Sequence, residues 1–345
     1  MGRHSVIRAA LEALWLLRAP LWLPAPADSS GFVVTLHHVE PEEPARFAPN
    51  ALLSVTPAFL DRFFSHFTGR GFRFVSVEEL IAPANGGGDW RRIAVTLDDG
   101  YRDNLECAWP VFRRHRVPFT IFVCPGFSDR TAELWWAALE RIIAANDIVS
   151  LLGEGPAEIL STGTVAQKHR AFRAWTAWLT TDADETRQRK AIRALAEKYG
   201  LDLAALAAEL VMDWDEVRRI AAEPLCTIGA HTMTHPALAR LPREVAFREM
   251  RDSADRIERE IGKRPRTLAF PYGYRAAAGE REAELAGEAE LSASFTTRPG
   301  YVPASGARHG LPRVSLNGLF QELRYLDALL SPGLWALRDR LRKPR

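Results

Sequence analysis

Two segments of the sequence end a hydrophobic run in side chains that can bind a metal ion or accept a proton. The first run, residues 93–97, is followed by Asp98, Asp99 and Gly100. Glycine adopts backbone conformations that other residues resist, so the chain can turn here and direct both carboxylates to one opening. An Asp-Asp-Gly sequence is also frequent in ordinary turns, and this segment alone leaves both interpretations open.

The second run, residues 226–229, is followed by His231 and His235. On one turn of helix this spacing points both imidazoles to the same side. Two neutral imidazoles and a carboxylate form a typical ligand set for zinc or another divalent ion, with positions left for water and substrate. A third such segment, Phe-Pro-Tyr-Gly at residues 270–273, follows. Three such segments in one chain favour a metal centre over unrelated turns.

These segments are predicted to lie at the ends of parallel strands. Short hydrophobic runs rich in β-branched and aromatic residues alternate with helical patterns, which is typical of parallel strands connected by helices. Functional sites of such folds lie at the carboxyl ends of the strands. About seven strands indicate a barrel, and the predicted strands are residues 32–36, 72–77, 93–97, 119–123, 226–229, 267–270 and 292–295.

Residues 131–222 differ in composition: Ala, Leu, Glu and Arg dominate, and the helical periodicity is nearly continuous. We interpret them as a helical insertion into a barrel formed by residues 31–130 and 223–316. Residues 1–30 form an N-terminal amphipathic segment and residues 317–345 a C-terminal basic amphipathic helix. Within the insertion, adjacent Trp135 and Trp136 fit either a sugar-stacking platform or, as we prefer, anchors in a core.

The composition excludes several classes of protein. With 345 residues, 47% hydrophobic and 26% charged, the chain is typical of a soluble globular protein rather than a disordered, fibrous or membrane-spanning one. The net charge of +2 gives no general attraction to nucleic acid, so no nucleic-acid partner is expected. The three cysteines are interpreted as reduced thiols, since none lies in a Cys-x-x-Cys pair.

The two termini bear on localisation. Glu12 and Arg18 interrupt the apolar N-terminal stretch, which favours an amphipathic helix over a secretory signal and therefore a cytoplasmic protein over a secreted or periplasmic one. The basic tail, residues 334–345, fits a solvated helix end, which we favour, or a helix in peripheral contact with a membrane. The sequence gives no indication of the oligomeric state.

The order of these segments resembles the polysaccharide deacetylase family, which is built on the NodB homology domain and is also called carbohydrate esterase family four. Residues 96–100 (Thr-Leu-Asp-Asp-Gly) match its first motif, and His231-Thr232-x-x-His235 matches its second. Residues 270–273 resemble its third motif. Residues 34–39 (Val-Thr-Leu-His-His-Val) resemble the opening strand of its poly-N-acetylglucosamine deacetylase-like branch. The resemblance covers roughly residues 31–315 and implies a distorted or incomplete (β/α)7 barrel.

The resemblance also implies roles for single residues. Asp99, His231 and His235 are expected to bind the metal, and Asp98 to act as the base that takes a proton from water. Three residues are expected on the substrate side of the site: Pro271, Tyr272 and Arg313. The backbone N–H of Tyr272 is the expected oxyanion donor. The implied metal is zinc, with cobalt, manganese, iron and nickel as alternatives.

The implied reaction is hydrolysis of N-acetyl groups from amino sugars in a polysaccharide, oligosaccharide or glycan precursor, which releases acetate. Two departures from the family pattern keep alternatives open. The arginine that often tunes the base in the third motif is replaced by Ala269, and we expect Arg313, or else Arg275, to supply the cation. The alternatives are an O-acetyl esterase or non-sugar amidase on the same centre, or a glycan-binding module that has lost catalysis.

The second departure concerns the general acid. The family's late Leu-x-His motif, which supplies this group, is not evident after Arg313. His38, at the end of the first predicted barrel strand, is our candidate, with His37 and His309 as alternatives.

Overall fold

The computed structural model describes residues 3–18, 23–41, 43–82, 89–151, 153, 155–156 and 159–342. Its strands are β1 (Ser29–Leu36), β2 (His38–Val39), β3 (Ser54–Val55), β4 (Arg73–Phe74), β5 (Arg92–Leu97), β6 (Phe119–Val123), β7 (Ile148–Val149), β8 (Leu160–Ser161), β9 (Cys226–Ala230), β10 (Thr267–Ala269), β11 (Ala293–Phe295), β12 (Val302–Pro303) and β13 (Val314–Ser315).

The main sheet is parallel in the order β11-β10-β9-β6-β5-β1. Strand β4 pairs with β5 at its amino end, and β12 pairs antiparallel with the start of β1. Strand β13 pairs in parallel with β1, while Leu311, just before it, pairs with Phe295 of β11. The segment 311–315 therefore contacts both ends of the parallel row and curls the sheet, which confirms the predicted incomplete α/β barrel.

The helices lie around this sheet. They are α1 (Arg3–Leu16), α2 (Pro57–Gly69), α3 (Val77–Ile81), α4 (Trp109–His115), α5 (Pro125–Ser128), α6 (Trp135–Ala145), α7 (Val165–Ala177), α8 (Glu185–Lys198), α9 (Leu203–Leu210), α10 (Trp214–Ala221), α11 (Arg243–Ile261), α12 (Glu280–Glu288), α13 (Leu323–Leu329) and α14 (Pro332–Arg342). Helix α2 begins after Thr56, whose side chain accepts from the Phe59 N–H. Among the described residues, no helix has the length and apolar character needed to cross a membrane.

In six of the seven predicted strands, at most one residue lies outside the observed strand. The exception is the prediction for residues 72–77, of which only Arg73 and Phe74 pair with β5. The rest was wrong because Ser76 caps helix α3: its hydroxyl accepts from the Glu79 N–H at 3.0 Å. The apolar run therefore bends into a helix instead of extending the strand.

The region 131–222 carries helices α6 to α10 and the short antiparallel pair β7 and β8. Its side chains form a second apolar cluster beside the barrel core, which includes Leu139, Ile142, Phe172, Trp175 and Leu195. The division of the chain into barrel and insertion stays a prediction. In residues 317–345 the structure contains two helices, α13 and α14, rather than the single helix that we expected, and residues 343–345 lie outside the described part.

Helix α1 lies in the predicted N-terminal segment and packs against α13. Glu12 of α1 accepts from Arg324 of α13 at 2.9 Å. Residues 1–2 and 19–22 of that segment lie outside the described residues.

Candidate metal centre

The two neighbouring carboxylates follow β5 and point to different partners. The Asp98 N–H donates to Leu36 of β1 at 3.1 Å, which continues the strand pairing up to the turn. Asp99 and Gly100 then both have positive φ angles, 71° and 73°. Aspartate is among the residues that tolerate this left-handed region, and glycine adopts it without steric strain. The turn separates the two side chains, so that each has its own environment.

The two histidines follow β9 in a loop rather than on a helix. The His231 N–H donates to Val123 of β6 at 2.9 Å, and the His235 N–H donates to the Thr232 hydroxyl at 3.1 Å. Thr232 and His235 both have φ of 60°. The helical-turn geometry assumed from the four-residue spacing was therefore wrong, although the two rings still converge, because a left-handed turn brings them together.

Asp99, His231 and His235 form a buried cluster of three ligand atoms. Asp99 Oδ1 lies 3.3 Å from His231 Nε2 and 3.3 Å from His235 Nε2. The three residues are only 2%, 2% and 8% exposed. Two atoms bound at about 2.0–2.1 Å to one tetrahedral zinc ion would lie about 3.3 Å apart. The spacing of these donors therefore fits a divalent cation between them.

The hydrogen bonds around the cluster support the same interpretation. His231 Nδ1 lies 2.8 Å from the Ala269 carbonyl oxygen, which can only accept, so Nδ1 carries the proton and Nε2 presents a lone pair. Asp99 Oδ1 is buried and has no hydrogen-bond partner among the residues that the structure describes. A cation would satisfy this buried oxygen.

The cluster favours an ionised Asp99. Burial alone would raise the pKa of its carboxyl group, but the interactions with the nearby His231 and His235 rings outweigh burial and hold the pKa well below its usual range. Burial lowers the pKa of His235. Burial also acts to lower the pKa of His231, but the nearby carboxylates prevail and raise it.

Asp98 is not one of these three ligands and pairs instead with Arg313. The guanidinium donates from Nη1 to Asp98 Oδ1 and from Nη2 to Oδ2, both at 2.7 Å. It also donates to the Thr96 hydroxyl at 3.1 Å and the Thr296 carbonyl at 3.0 Å. Burial would raise the pKa of Asp98, but the charge and hydrogen bonds of Arg313, together with charge from His231 and His37, outweigh burial, and the pKa lies below its ordinary value. Asp98 is thus held ionised and fixed in orientation.

The position of Arg313 corrects one of the expectations from the sequence. Its side chain is 0% exposed and lies against Asp98, so it is not placed to contact a substrate as predicted. It instead provides, beside Asp98, the cation that Ala269 cannot provide. The segment 311–315 that completes the curled sheet carries it there. Arg275, the other candidate cation, is exposed.

Comparisons with known proteins agree with this geometry. The family model for polysaccharide deacetylase matches residues 85–289. The chain belongs to the polysaccharide deacetylase family. No curated protein matches it at a significant level.

The fold of this family member resembles several solved structures. The deacetylase PplD of Streptococcus pyogenes, in complex with acetate, is 16% identical with a TM-score of 0.56, over 88% of this chain and 97% of that one. The deacetylase domain of BpsB from Bordetella bronchiseptica is 17% identical with a TM-score of 0.52, over 85% and 97%. IcaB from Ammonifex degensii is 17% identical with a TM-score of 0.51, over 89% and 97%. These identities show a shared fold.

In this polysaccharide deacetylase family member, the candidate general acids lie in three different places. His37 Nε2 is 4.0 Å from Asp98 Oδ2, and burial lowers its pKa. His38 Nδ1 is 2.6 Å from Asp103 Oδ2; burial alone would lower its pKa, but the hydrogen bond and charge of this carboxylate raise it. His309 instead contacts Ser294 of β11.

Aromatic side chains surround the candidate metal ligands, and sequence reasoning missed part of this set. The His38 ring stacks on Tyr101 with centroids 3.6 Å apart, and the Tyr272 ring contacts His235 at 4.9 Å. Trp135 and Trp136 are each only 8% exposed, which agrees with anchors rather than an exposed sugar platform. The signal for Tyr101 was its position directly after the Asp-Asp-Gly turn.

Asp103, two residues after Tyr101, was also missed. Its carboxylate accepts from the Val39 N–H at 2.9 Å as well as contacting His38. Pro271, predicted on the substrate side, is buried, and Tyr272 is partly exposed with φ of 62°. A substrate contact by either residue stays a prediction.

Proposed function

We propose that this protein is a metal-dependent hydrolase that removes N-acetyl groups from N-acetylated amino sugars in a polysaccharide, oligosaccharide or glycan precursor and releases acetate. The observation that carries the proposal is the buried cluster of Asp99, His231 and His235 next to Asp98, a second carboxylate held ionised by Arg313. Membership of the polysaccharide deacetylase family supports it, as does the fold shared with BpsB and IcaB.

Zinc is our proposed metal, since one carboxylate and two imidazoles are a common ligand set for it, and cobalt, manganese, iron or nickel are the alternatives. When bound, such a cation polarises an acyl carbonyl and lowers the pKa of a water molecule. The residues that would hold it are Asp99, through Oδ1, and the two histidines, through Nε2. His231 is fixed for this task by its bond to the Ala269 carbonyl.

Asp98 is the proposed base. Both of its oxygens accept from Arg313 at 2.7 Å, which fixes the carboxylate plane, and Oδ2 also accepts from the Thr35 hydroxyl at 3.4 Å. Oδ1 keeps a second lone pair with which to accept a proton. The charge and hydrogen bonds of Arg313, with charge from His231 and His37, lower the pKa of this carboxyl group and keep it ionised despite burial. The cost is a weaker base, because a group with a lowered pKa takes a proton less readily.

His38 is the proposed acid that protonates the leaving amine. Asp103 pairs with Nδ1 at 2.6 Å, which leaves the Nε2–H as the proton to be donated. The raised pKa that results keeps the imidazole protonated to a higher pH than an isolated histidine. His37, whose pKa is lowered by burial, is the alternative.

The Tyr272 N–H is the proposed donor to the oxyanion that develops as the acyl carbonyl is attacked. The backbone around it is held from the other side, because the Tyr272 carbonyl accepts from the Thr297 hydroxyl at 2.7 Å. A fixed N–H directed at developing negative charge stabilises it without reorganisation.

The decisive experiment compares two neighbouring carboxylates in one assay. Purified protein is stripped of metal, supplied with single divalent ions and given N-acetylglucosamine oligomers, and acetate release and metal affinity are both measured. We expect Asp98→Asn to lose acetate release and keep metal affinity, and Asp99→Asn to lose both. An O-acetylated sugar and an N-acetylated amino acid, run in parallel, test the esterase and amidase alternatives.

Two results would contradict the proposal. If the wild type binds metal but releases acetate only from the ester or from the amino acid, the substrate assignment is wrong. If it binds metal and oligomer but hydrolyses none of the substrates, the protein is a glycan-binding module that retains the fold.

A further inference from the structure

The two histidines of the candidate metal centre are oriented in different ways. His231 donates from Nδ1 to a backbone carbonyl, as metal-binding histidines usually do. His235 Nδ1 is buried, and no hydrogen-bond partner for it exists among the described residues. Some other interaction must therefore hold the His235 ring so that Nε2 faces Asp99 Oδ1.

Aromatic rings surround His235 and can supply this orientation. The Trp136 ring centroid is 5.0 Å away, Tyr272 is 4.9 Å away and Phe127 is 5.4 Å away. The imidazole is 8% exposed, so these rings leave it little freedom to rotate. Packing takes the place that a hydrogen bond takes at His231.

Two of these rings, Trp136 and Tyr272, are themselves held by hydrogen bonds of the indoles at the start of helix α6. Trp135 Nε1 donates to the Tyr272 hydroxyl at 2.8 Å, and Trp136 Nε1 donates to the Tyr101 hydroxyl at 3.1 Å. The two indole planes are perpendicular, with an angle of 90° between them, so adjacent residues reach two different loops. Tyr101 follows strand β5, and Tyr272 follows strand β10.

Trp136 also contacts the chain beside a second candidate ligand. The Tyr101 hydroxyl accepts from the indole, and Tyr101 lies two residues after Asp99, directly behind the Asp-Asp-Gly turn. One indole therefore contacts the His235 ring directly and holds the phenol that follows the Asp99 turn.

We propose that Trp136 and Trp135 are positioning residues for the metal ligands, Trp136 through direct contact with His235 and through Tyr101, and Trp135 through Tyr272. The region 131–222 thereby completes the metal centre in the barrel. This inference rests on the metal binding in the proposed function, but not on the identity of the substrate.

The test measures metal affinity in variants of the full-length protein. Removing a group that orients a metal ligand typically weakens metal affinity about 10–100-fold. We expect Trp136→Leu, which removes both the wall and the indole donor, to weaken zinc binding in this range. Trp136→Phe keeps an aromatic wall, and Trp135→Phe leaves the wall around His235 in place, so each is expected to weaken zinc binding by less than Trp136→Leu does.

The matched control is Trp175→Phe. Trp175 lies in the same helical region, is 1% exposed, and its Nε1 has no hydrogen-bond partner within the described residues. It packs against Trp178 rather than a metal ligand. We expect this variant to lower the urea midpoint and to leave zinc affinity unchanged.

The readouts are the zinc dissociation constant, from competition with a chelator, and the visible absorption of the Co²⁺-loaded protein, which reports ligand geometry without any substrate. Weaker zinc binding with an altered cobalt spectrum in Trp136→Leu, and neither change in Trp175→Phe, would support the inference. Should Trp136→Leu fail to fold, Trp136→Phe and Tyr272→Phe carry the test, and each must weaken zinc binding or alter the cobalt spectrum.

Three results would overturn the inference. The first is zinc affinity within twofold of wild type, with an unchanged cobalt spectrum, in the Trp136 variants. The second is an equal loss of affinity in Trp175→Phe, which would mean general destabilisation. The third is a wild type that binds no divalent ion. Failure of acetate release alone would contradict the proposed substrate and leave these metal measurements valid.

Discussion

Replacement of Arg313 by methionine isolates the buried ion pair that holds the proposed base. Arg313 and Asp98 are 0% and 2% exposed, so water screens their interaction little, and both guanidinium contacts are 2.7 Å long. Removing one partner of such a pair leaves a buried charge without compensation and costs about 3–5 kcal/mol. We expect Arg313→Met to lose this much free energy of unfolding at neutral pH, because the Asp98 carboxylate stays buried and unpaired.

The loss depends on pH in a defined direction. In the wild type the pKa of Asp98 is below its ordinary value, so its contribution to stability is present above that value and disappears as pH falls through the folded-state pKa. The variant lacks the guanidinium, so less positive charge opposes the effect of burial on the carboxyl group, and the pKa of Asp98 rises. Protonation then relieves the buried charge, and the difference in stability between the two proteins shrinks as pH decreases.

Urea unfolding between pH 4 and pH 8 measures this difference, with the surface variant Arg275→Met as a control expected to change stability by less than about 0.5 kcal/mol. The double variant Asp98→Asn/Arg313→Met is expected to recover about 2–3 kcal/mol relative to the sum of the single changes. The acid limb of kcat/KM should also move to higher pH in Arg313→Met. A loss below about 1 kcal/mol, or one that does not vary with pH, would refute this account of the ion pair.

Three further predictions concern the acid, the histidine loop and the metal. His38→Asn should lower kcat about 10²–10⁴-fold and remove the alkaline limb of the pH–rate profile, since activity is lost as pH rises through the raised pKa of His38; an unchanged limb would exclude this residue as the acid. Gly126→Ala should lower the free energy of unfolding by about 1–3 kcal/mol in urea and weaken zinc binding, because a Cβ would lie 2.6 Å from the Met233 carbonyl oxygen in the histidine loop. Gly69→Ala, where a Cβ meets nothing within 4 Å, is its control. Zinc at 100 times its dissociation constant should stabilise the wild type by about 2.7 kcal/mol in thermal unfolding, and Asp99→Asn should show no such gain.

Much of the barrel was predictable because its signals are local. A parallel strand buried on both faces is a short apolar run, and this pattern located β5, β6 and β9 closely. Residues 72–77 show where the signal is ambiguous, since an apolar run cannot by itself distinguish a strand from the start of a helix, and the cap at Ser76 decided the outcome. Strands β12 and β13, of two residues each, were too short to show a pattern.

The order of residues indicates which side chains could bind a metal and at which strand ends they would lie, because each strand and its ligand motif are contiguous in the chain. Their relative geometry needed the tertiary structure. Arg313 pairs with Asp98 across 215 positions, and a left-handed turn rather than a helix brings His235 to Asp99. Which indole meets which phenol depends on how helix α6 packs on two separate loops. Contacts between distant segments follow from the packing of the whole sheet, and no local pattern of residues specifies them.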